Sequence, residues 1–250
     1  KYLERVLKNT PTDWLTLTTH RLDIYNEKLA KTEFLQKFDA LFKADNSDTA
    51  ALNALPTAFD YIRLGHPLSS VLEWGIAHLN DLKPGNVISF SSKTMPVLAI
   101  LRKNLFESRR TRILYTDEIS NRLDADTLRR IYGYDFEIKK VESDEAVESF
   151  EGSTVFISEQ NEPGRIRLLS NIDFYVSIHP GLGSILTING EKNESYLSEI
   201  QHVRRRETIA MTPSDCFTAL HHLVGKPLSD NTVSNSKTAK DIVKDYINNI

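Results

Sequence analysis

Apolar positions in the first part of the chain recur at the three- and four-residue spacing of helices. They are Leu3, Val6 and Leu7, and then Leu29, Phe34, Leu35, Phe38, Leu41 and Phe42. This spacing places the apolar side chains on one face of a helix. We therefore predict a helical N-terminal region over residues 1–50. The polar stretch KADNSDTAALNALPT at its end is typical of a linker or a surface loop.

From residue 68 onwards, short β-rich runs alternate with helical patterns. The runs that predict strands are NVISFSS, TRILYT, FEIKKVE, STVFIS, DFYVS and SILTIN. The helical patterns cover residues 70–80, 96–106, 122–132, 191–206, 213–223 and 236–249. Strands that alternate with helices indicate an α/β fold with a mostly parallel sheet covered by helices. Such sheets bind ligands at the carboxyl ends of their strands.

The sheet defines the second of three predicted units. The α/β domain is expected to span residues 51–235, and residues 236–250 form a last helix after the polar run SDNTVSNSKT. Within the α/β domain one sheet is expected to contain the runs near residues 87–91, 111–115, 153–158, 174–177 and 184–188.

The charge balance gives no reason to expect a nucleic-acid partner. The formal net charge is −3, with 26% charged and 40% hydrophobic residues, which is ordinary for a globular protein. Arginines cluster at Arg109, Arg110 and Arg112 and again at residues 204–206, but acidic residues lie beside both clusters. We interpret these clusters as solvated faces, and nucleic-acid binding as unlikely.

A single cysteine and the absence of a long apolar run point to a reducing, non-membrane environment. Cys216 excludes an intramolecular disulfide and a cysteine-based zinc site. It lies in a helical pattern, where a buried small hydrophobic residue is favoured over a nucleophile. No apolar run approaches the ~18 residues of a membrane span, and the N-terminus is charged rather than signal-like. We expect a cytoplasmic protein.

The common nucleotide, zinc-protease and serine-hydrolase motifs are absent from the sequence. The glycine-rich HPGLGS, residues 179–184, follows a predicted strand; its amides could hold an anion, but a tight strand-to-strand turn needs the same residues and is favoured. His179 is either an acid or base in that loop or, more commonly for a lone histidine, structural.

Two further pairs of polar residues are candidates for metal binding or catalysis. His221 and His222 are adjacent in a helix and so point to different faces, which is poor geometry for a shared metal. Asp117 and Glu118 follow a strand, where they either act chemically or cap the next helix. Neither pair predicts a site by itself.

The stretch YIRLGHPLSSVLEWGIAHL carries a resemblance to a known family. Its Tyr61, Arg63, Gly65 and Pro67 match a Y-x-R-x-G-N-P-T loop, and an L-E-x-x-x-A-x-L pattern follows at the right offset. FSSKTMPVLAIL, STVFISEQNEP, NIDFYVS and TIAMTPSDCFTALHHL resemble further motifs in the same order. The chain from about residue 58 resembles the cystathionine γ-synthase family of pyridoxal-phosphate enzymes, which implies the large domain of fold type I.

The same resemblance shows which cofactor-holding residues are missing. Pyridoxal chemistry needs a lysine to hold the cofactor, and in the family it follows the strand that matches NIDFYVS. Here Ser177 is followed by IHPGLGS, without a lysine. In the family, the aspartate that pairs with the pyridinium nitrogen lies in a strand for which this chain has too few residues between Pro163 and Asp173.

Other family contacts to the cofactor are also altered. In the phosphate turn after Ser92, Lys93 replaces the glycine. Glu162 stands where an asparagine contacts the ring hydroxyl, and the stacking tyrosine is absent from DEISNRL. We expect none of the degenerate positions Ser92, Lys93, Glu162 and Ser177 to bind a cofactor, and we expect no cofactor and no metal.

The loop with Tyr61 and Arg63 is kept, although the pocket is lost. In the family this loop reaches across a subunit interface to the cofactor phosphate of the neighbouring protomer. It therefore implies a protein partner or a homo-oligomer, although ordinary loop packing explains the two residues equally well.

Three functions follow from these observations. The first is a catalytically inactive relative of the transsulfuration enzymes that acts as a scaffold, assembly or regulatory subunit. The second is a working pyridoxal-phosphate-dependent lyase or transferase of sulfur amino acids, whose lysine-bearing segment is absent from this chain. The third is a domain that binds an unrelated macromolecule through its helical N-terminal region.

Overall fold

A computed structural model describes residues 1–16, 27–56, 58, 63–116, 123–144, 147–226 and 228. Its α-helices are α1 (Tyr2–Lys8), α2 (Glu27–Lys43), α3 (Thr49–Asn53), α4 (Pro67–Leu79), α5 (Met95–Phe106), α6 (Ala125–Tyr132), α7 (Leu197–Glu207) and α8 (Pro213–Leu223). Short 3-10 helices cover Thr12–Leu15, Pro84–Asn86 and Glu191–Tyr196. The predicted helix over residues 236–249 lies outside the described residues.

The strands form one sheet, as predicted. They are β1 (Val87–Phe90), β2 (Thr111–Tyr115), β3 (Phe136–Lys140), β4 (Ser153–Glu159), β5 (Phe174–His179) and β6 (Gly183–Ile188). Their order is β1-β6-β5-β4-β2-β3. Only β6 runs antiparallel to its neighbours, β1 and β5, and the other pairs are parallel. The protein therefore has an α/β fold with a mostly parallel sheet flanked by helices.

Helices cover both faces of this sheet. On one face, Ile100 of α5, Leu128 of α6 and Ile200 of α7 pack in one buried cluster with the sheet residues Val176 and Leu186. On the other face α4 and α8 lie against β1 and β6, and side chains of α1 and α2 join the same cluster. The N-terminal helices thus share a core with the α/β part of the chain, and the division at residue 50 stays a prediction.

Several predicted segments differ from the structure in their boundaries. α4 begins at Pro67 rather than residue 70, because His66 caps it. The predicted helix 191–206 is divided into a 3-10 turn and α7, because Asn193 donates to the carbonyl of Asn189 and so holds the tighter turn. The supposed linker contains α3, whose Leu52 is fully buried in the core that α1 and α2 share.

The outer edge of β1 is covered by charged side chains. Ser89 N–H donates to Glu73 Oε1 at 2.8 Å, and Arg204 donates to the Ser89 carbonyl at 3.0 Å. Further along, the N–H of Ser91 donates to the carbonyl of Ile209. The interpretation of residues 204–206 as a solvated face was wrong at Arg204, which is fully buried because Glu73 offers it a buried carboxylate.

Candidate functional site

The carboxyl ends of five strands meet at one edge of the sheet. Since β1 to β5 run in the same direction, the segments that follow them converge there, beside the β5–β6 turn. Open α/β sheets bind ligands at this edge. The positions that the sequence analysis singled out in β1–α5, after β4 and in β5 all lie at or near it.

The β1–α5 turn is held by hydrogen bonds within the chain. Ser92 Oγ accepts from the N–H groups of Thr94 and Met95 at 3.3 and 3.2 Å. Ser184 Oγ donates to the Ser92 carbonyl at 2.6 Å, which ties the turn to β6. Lys93, at the tip of the turn, is half-buried.

The start of α5 has no free amide to offer to an anion. The next two N–H groups, those of Val97 and Leu98, donate to the Thr94 carbonyl, and Pro96 has no N–H. A helix N-terminus binds a phosphate through unsatisfied amides. Because Ser92 and Thr94 already accept from these groups, the helix start is self-capped and does not fit a phosphate group.

The HPGLGS stretch forms the tight turn that was favoured from the sequence. β5 ends at His179, β6 begins at Gly183, and Leu182 N–H donates to the His179 carbonyl at 3.1 Å. Ser177 lies within β5, buried and paired with Ser158 and Ile185. The strand therefore continues past Ser177 into a hairpin, and no loop intervenes there.

His179 is a deeply buried titratable group among the described residues at this edge. It is 1% exposed, its Nδ1 lies 2.9 Å from the Gln160 carbonyl, and its Nε2 has no hydrogen-bond partner among the residues that the structure describes. Burial lowers the pKa of His179 to about 4; the Gln160 carbonyl opposes this shift and His222 adds to it. The ring is neutral near pH 7, donates from Nδ1, and keeps Nε2 as an unused acceptor.

Glu162 follows β4 by three residues and lies near α8. Its carboxylate is 3.9 Å from Nδ1 of His222, and the side chain is 61% exposed. The neighbouring His221 instead places Nδ1 3.0 Å from the carbonyl of Lys226. The prediction that the two histidines point to different faces is confirmed. Within the described ranges, no group of three His, Cys, Asp or Glu residues is placed to hold a metal ion.

Arg63 lies in an exposed turn next to this edge. Its carbonyl accepts from the N–H of Ala210 at 2.9 Å, and the adjacent Ile209 bonds to Ser91 after β1. The Arg63 turn is therefore anchored beside the β1–α5 turn. Tyr61, Asp117 and Glu118 lie outside the described residues. Cys216 is fully buried, which raises the pKa of its thiol, as expected of a small core residue.

His66, which positions α4, was not predicted from the sequence. Its Nδ1 accepts from Ser69 N–H at 3.2 Å, its Nε2 lies 2.7 Å from the Met211 carbonyl, and Ser69 Oγ accepts from the N–H of His66 in return. Burial lowers the pKa of His66 to about 4, against the favourable Met211 contact. The signal was present as a polar residue followed by proline at the first helical position and serine at the third.

Comparison with known proteins finds similarity to solved structures and nothing else. No family model and no curated protein matches the chain. It is similar to cystathionine γ-synthase from Xanthomonas oryzae pv. oryzae, solved with cystathionine, at 10% identity, a TM-score of 0.49, and coverage of 89% of this chain and 62% of that one.

No helix of the described ranges is both long and apolar enough to cross a membrane.

Two further solved structures show the same level of similarity. Cystathionine γ-lyase from Lactobacillus plantarum, solved with L-serine, is 9% identical with a TM-score of 0.46, and metB from Corynebacterium glutamicum is 12% identical with a TM-score of 0.42. In both cases the alignment covers 89% of this chain and 63% of the other. The chain thus spans less than two thirds of these proteins, and a function has to be argued from its own residues.

Proposed function

We propose that this chain is a catalytically inactive relative of the transsulfuration enzymes that acts as a scaffold, assembly or regulatory subunit. The observation that carries the proposal is the self-capped start of α5. In the family that the sequence motifs resemble, the turn after this strand holds the cofactor phosphate. Here Ser92 and Thr94 accept from the amides that would otherwise donate to that phosphate.

The β5–β6 hairpin supports the same proposal. The resemblance places the cofactor-holding lysine just after Ser177, but β5 continues to His179 and turns at once into β6. The residues of this segment, IHPGLG, include no amine. Without a lysine at this position, the chain has nothing there to form the covalent link that pyridoxal chemistry requires.

The Arg63 turn is the proposed contact with a protein partner or a second protomer. Arg63 is exposed, and its backbone is anchored to Ala210, so its guanidinium is carried on a fixed segment of the chain. An arginine of this kind suits carboxylates, phosphates or carbonyl groups because its planar fork donates two parallel hydrogen bonds. Tyr61 belongs to the same proposal through the resemblance. A cytoplasmic location goes with it.

Pyridoxal phosphate labelling tests the proposal. The protein is titrated with pyridoxal phosphate, reduced with borohydride, digested and mapped by mass spectrometry. Lys93→Ala is the matched variant, because Lys93 lies in the turn at the carboxyl end of β1. We expect only scattered, substoichiometric labelling of surface lysines, equal in both proteins. Saturable, stoichiometric labelling of one lysine, lost in Lys93→Ala if that lysine is Lys93, would show a working cofactor site.

The active-enzyme alternative is tested on the full coding sequence. If a segment outside this chain supplies the lysine, the full-length protein binds pyridoxal phosphate stoichiometrically and reacts with sulfur amino acids. An absence of both in the full-length protein supports the inactive subunit.

A further inference from the structure

The two outermost strands of the sheet, β1 and β3, are protected very differently against pairing with a further strand. At β1, Glu73, Arg204 and the segment at Ile209 satisfy the outward backbone groups of Ser89 and Ser91. At the opposite edge lies β3, whose ladder partner is β2. An exposed edge strand offers a row of unpaired amides and carbonyls to another strand. Whether β3 is blocked therefore decides what this edge can do.

The hydrogen-bond pattern shows which residues of β3 point outward. Thr111 N–H donates to the Asp135 carbonyl, and Val141 N–H donates to the Tyr115 carbonyl. In a parallel ladder alternate residues bond to the neighbouring strand, so the odd-numbered residues of β3 face β2. The amide and carbonyl of Ile138, at the centre of the strand, therefore face away from the sheet. Among the described residues, none covers them.

Charged residues flank this central position symmetrically. Glu137 and Lys139 are both exposed, and neither has an ion-pair partner among the described residues. Because they lie two positions apart in a strand, their side chains project from the same face of the sheet. An acidic and a basic residue at equal distances from Ile138 form a self-complementary pattern.

We propose that β3 is the contact surface for a second copy of this chain, which pairs with it antiparallel about a two-fold axis at Ile138. In this register Ile138 exchanges two backbone hydrogen bonds with its own copy, and Glu137 of each chain stands opposite Lys139 of the other. Those flanking positions are non-hydrogen-bonded pairs, in which facing side chains approach most closely. The interface is isologous, as a closed dimer requires.

Nearby apolar exposure fits the same surface. Ile131 and Tyr132, at the end of α6 just before β3, are 62% and 56% exposed. α6 packs on one face of the sheet through Leu128. A two-fold axis perpendicular to the strands places the α6 helices of both copies on the same face of the joined sheet, so this apolar surface lies beside the new ladder.

The charges on β3 also argue against an arbitrary partner strand. Charged residues on an edge strand usually prevent association. In any other antiparallel register, Glu137 and Lys139 of the two copies would no longer face each other, or like charges would stand opposite one another. The guanidinium of Arg129 covers the outward carbonyl of Phe136 at 3.2 Å, which protects the first residue of the strand. In the two-fold register about Ile138 each Glu137 stands opposite Lys139 of the copy, while Lys140 lies opposite Phe136.

Sedimentation equilibrium of charge-swap variants tests this dimer. The wild-type chain is compared with Glu137→Lys, Lys139→Glu and the double variant with both changes, at low and high salt. We expect a reversible dimer, about tenfold weaker in each single variant because both symmetry-related pairs become like-charged, and restored in the double variant. Higher salt should weaken the wild-type dimer.

Three results would contradict the β3 dimer. A monomeric wild-type chain, or single variants that associate as the wild type does, would overturn the proposal, and so would a double variant as weak as the singles. Thermal melts of dilute, monomeric protein should be unchanged in all three variants, because the side chains are exposed in the monomer. The variant Arg63→Ala keeps this dimer, since the Arg63 turn lies outside β3.

Discussion

Glu73 of α4 and Arg204 of α7 form a fully buried ion pair, with Oε1 and Nη1 2.8 Å apart. Lys31 of α2 donates to the other carboxylate oxygen at 2.6 Å. Burial alone would raise the pKa of Glu73, but Lys31 and Arg204 together lower it to about 2. Burial also lowers the pKa of Lys31, against the attraction of Glu73. Since Arg204 stays charged in any case, the carboxylate remains ionised.

Replacing Arg204 should destabilise the fold strongly. Arg204→Met leaves Glu73 buried with one cation fewer and the Ser89 carbonyl without its donor, a loss of about 3–5 kcal/mol for a broken buried pair. Arg102→Met is the matched control, because Arg102 pairs with Glu199 at a partly exposed site and should cost about 1 kcal/mol or less. Urea unfolding measures both. Equal losses would mean that the buried pair is not an important stabilising contact.

His66 should make the stability depend on pH between neutrality and mild acid. Its pKa in the fold is about 4, below the ordinary 6.5. The neutral ring is therefore favoured by folding, and its contribution is complete above pH 6.5 and is lost as the pH falls toward 4. His66→Asn keeps a capping oxygen for the N–H of Ser69 and does not titrate.

The variant should lose about 1 kcal/mol at pH 7, where the Met211 hydrogen bond is missing. The difference from the wild type should narrow as the pH falls and change sign by pH 4.5, because the wild type loses more than about 1 kcal/mol there; urea unfolding at each pH measures it. His179 titrates in both proteins and so does not affect the difference. A constant difference across this range would exclude His66 as a titrating cap.

Gly183 should be the less replaceable of the two glycines in the β5–β6 turn. Its φ is +129°, and an added Cβ would lie 2.1 Å from the Phe90 carbonyl oxygen. Gly183→Ala therefore forces β1 and β6 apart and should cost more than about 2 kcal/mol. Gly181, with φ +79° and nothing within 4 Å of an added Cβ, should cost about 1 kcal/mol when changed to alanine. Thermal unfolding compares them directly.

Arg63 and Tyr61 should affect association beyond the β3 dimer more than they affect folding. The double variant Tyr61→Ala and Arg63→Ala is compared with the wild type by analytical ultracentrifugation and by a thermal melt. If this loop contacts a second chain, association weakens by roughly 2 kcal/mol for a central anchor, with little change in the melt. Unchanged association with a lowered melting temperature would show that the two residues only pack within their own domain.

The sheet could be predicted from the sequence because its signals are local. Each strand run is short and β-rich, and the glycines of HPGLGS predicted the turn that reverses β6. The end of β5 was placed two residues early, at Ser177, because Ile178 and His179 carry no pattern that separates a strand from a loop. The ladder with β4 and β6 extends the strand to His179.

The contacts along the outer side of β1 and at its carboxyl end were predicted less completely, because most of them are long-range. Arg204 belongs to a run of three arginines, and no local pattern shows which of them faces inward. Its partner Glu73 lies 131 positions earlier. The self-capping of α5 depends on the rotamer of Ser92, which spacing does not specify. These features arise from tertiary packing and could only be found in the folded chain.

The long separation between β1 and its partners has a consequence for synthesis on the ribosome. β1 pairs with β6 about a hundred residues later, as in Val87 with Thr187, and Arg204 closes its other side later still. The parallel ladders of β2 to β5 need no residue beyond His179. We expect β1 to stay unpaired on both sides in the nascent chain until these residues are synthesised. The apolar segment around Ile88 is then exposed, and we expect chaperones to bind there.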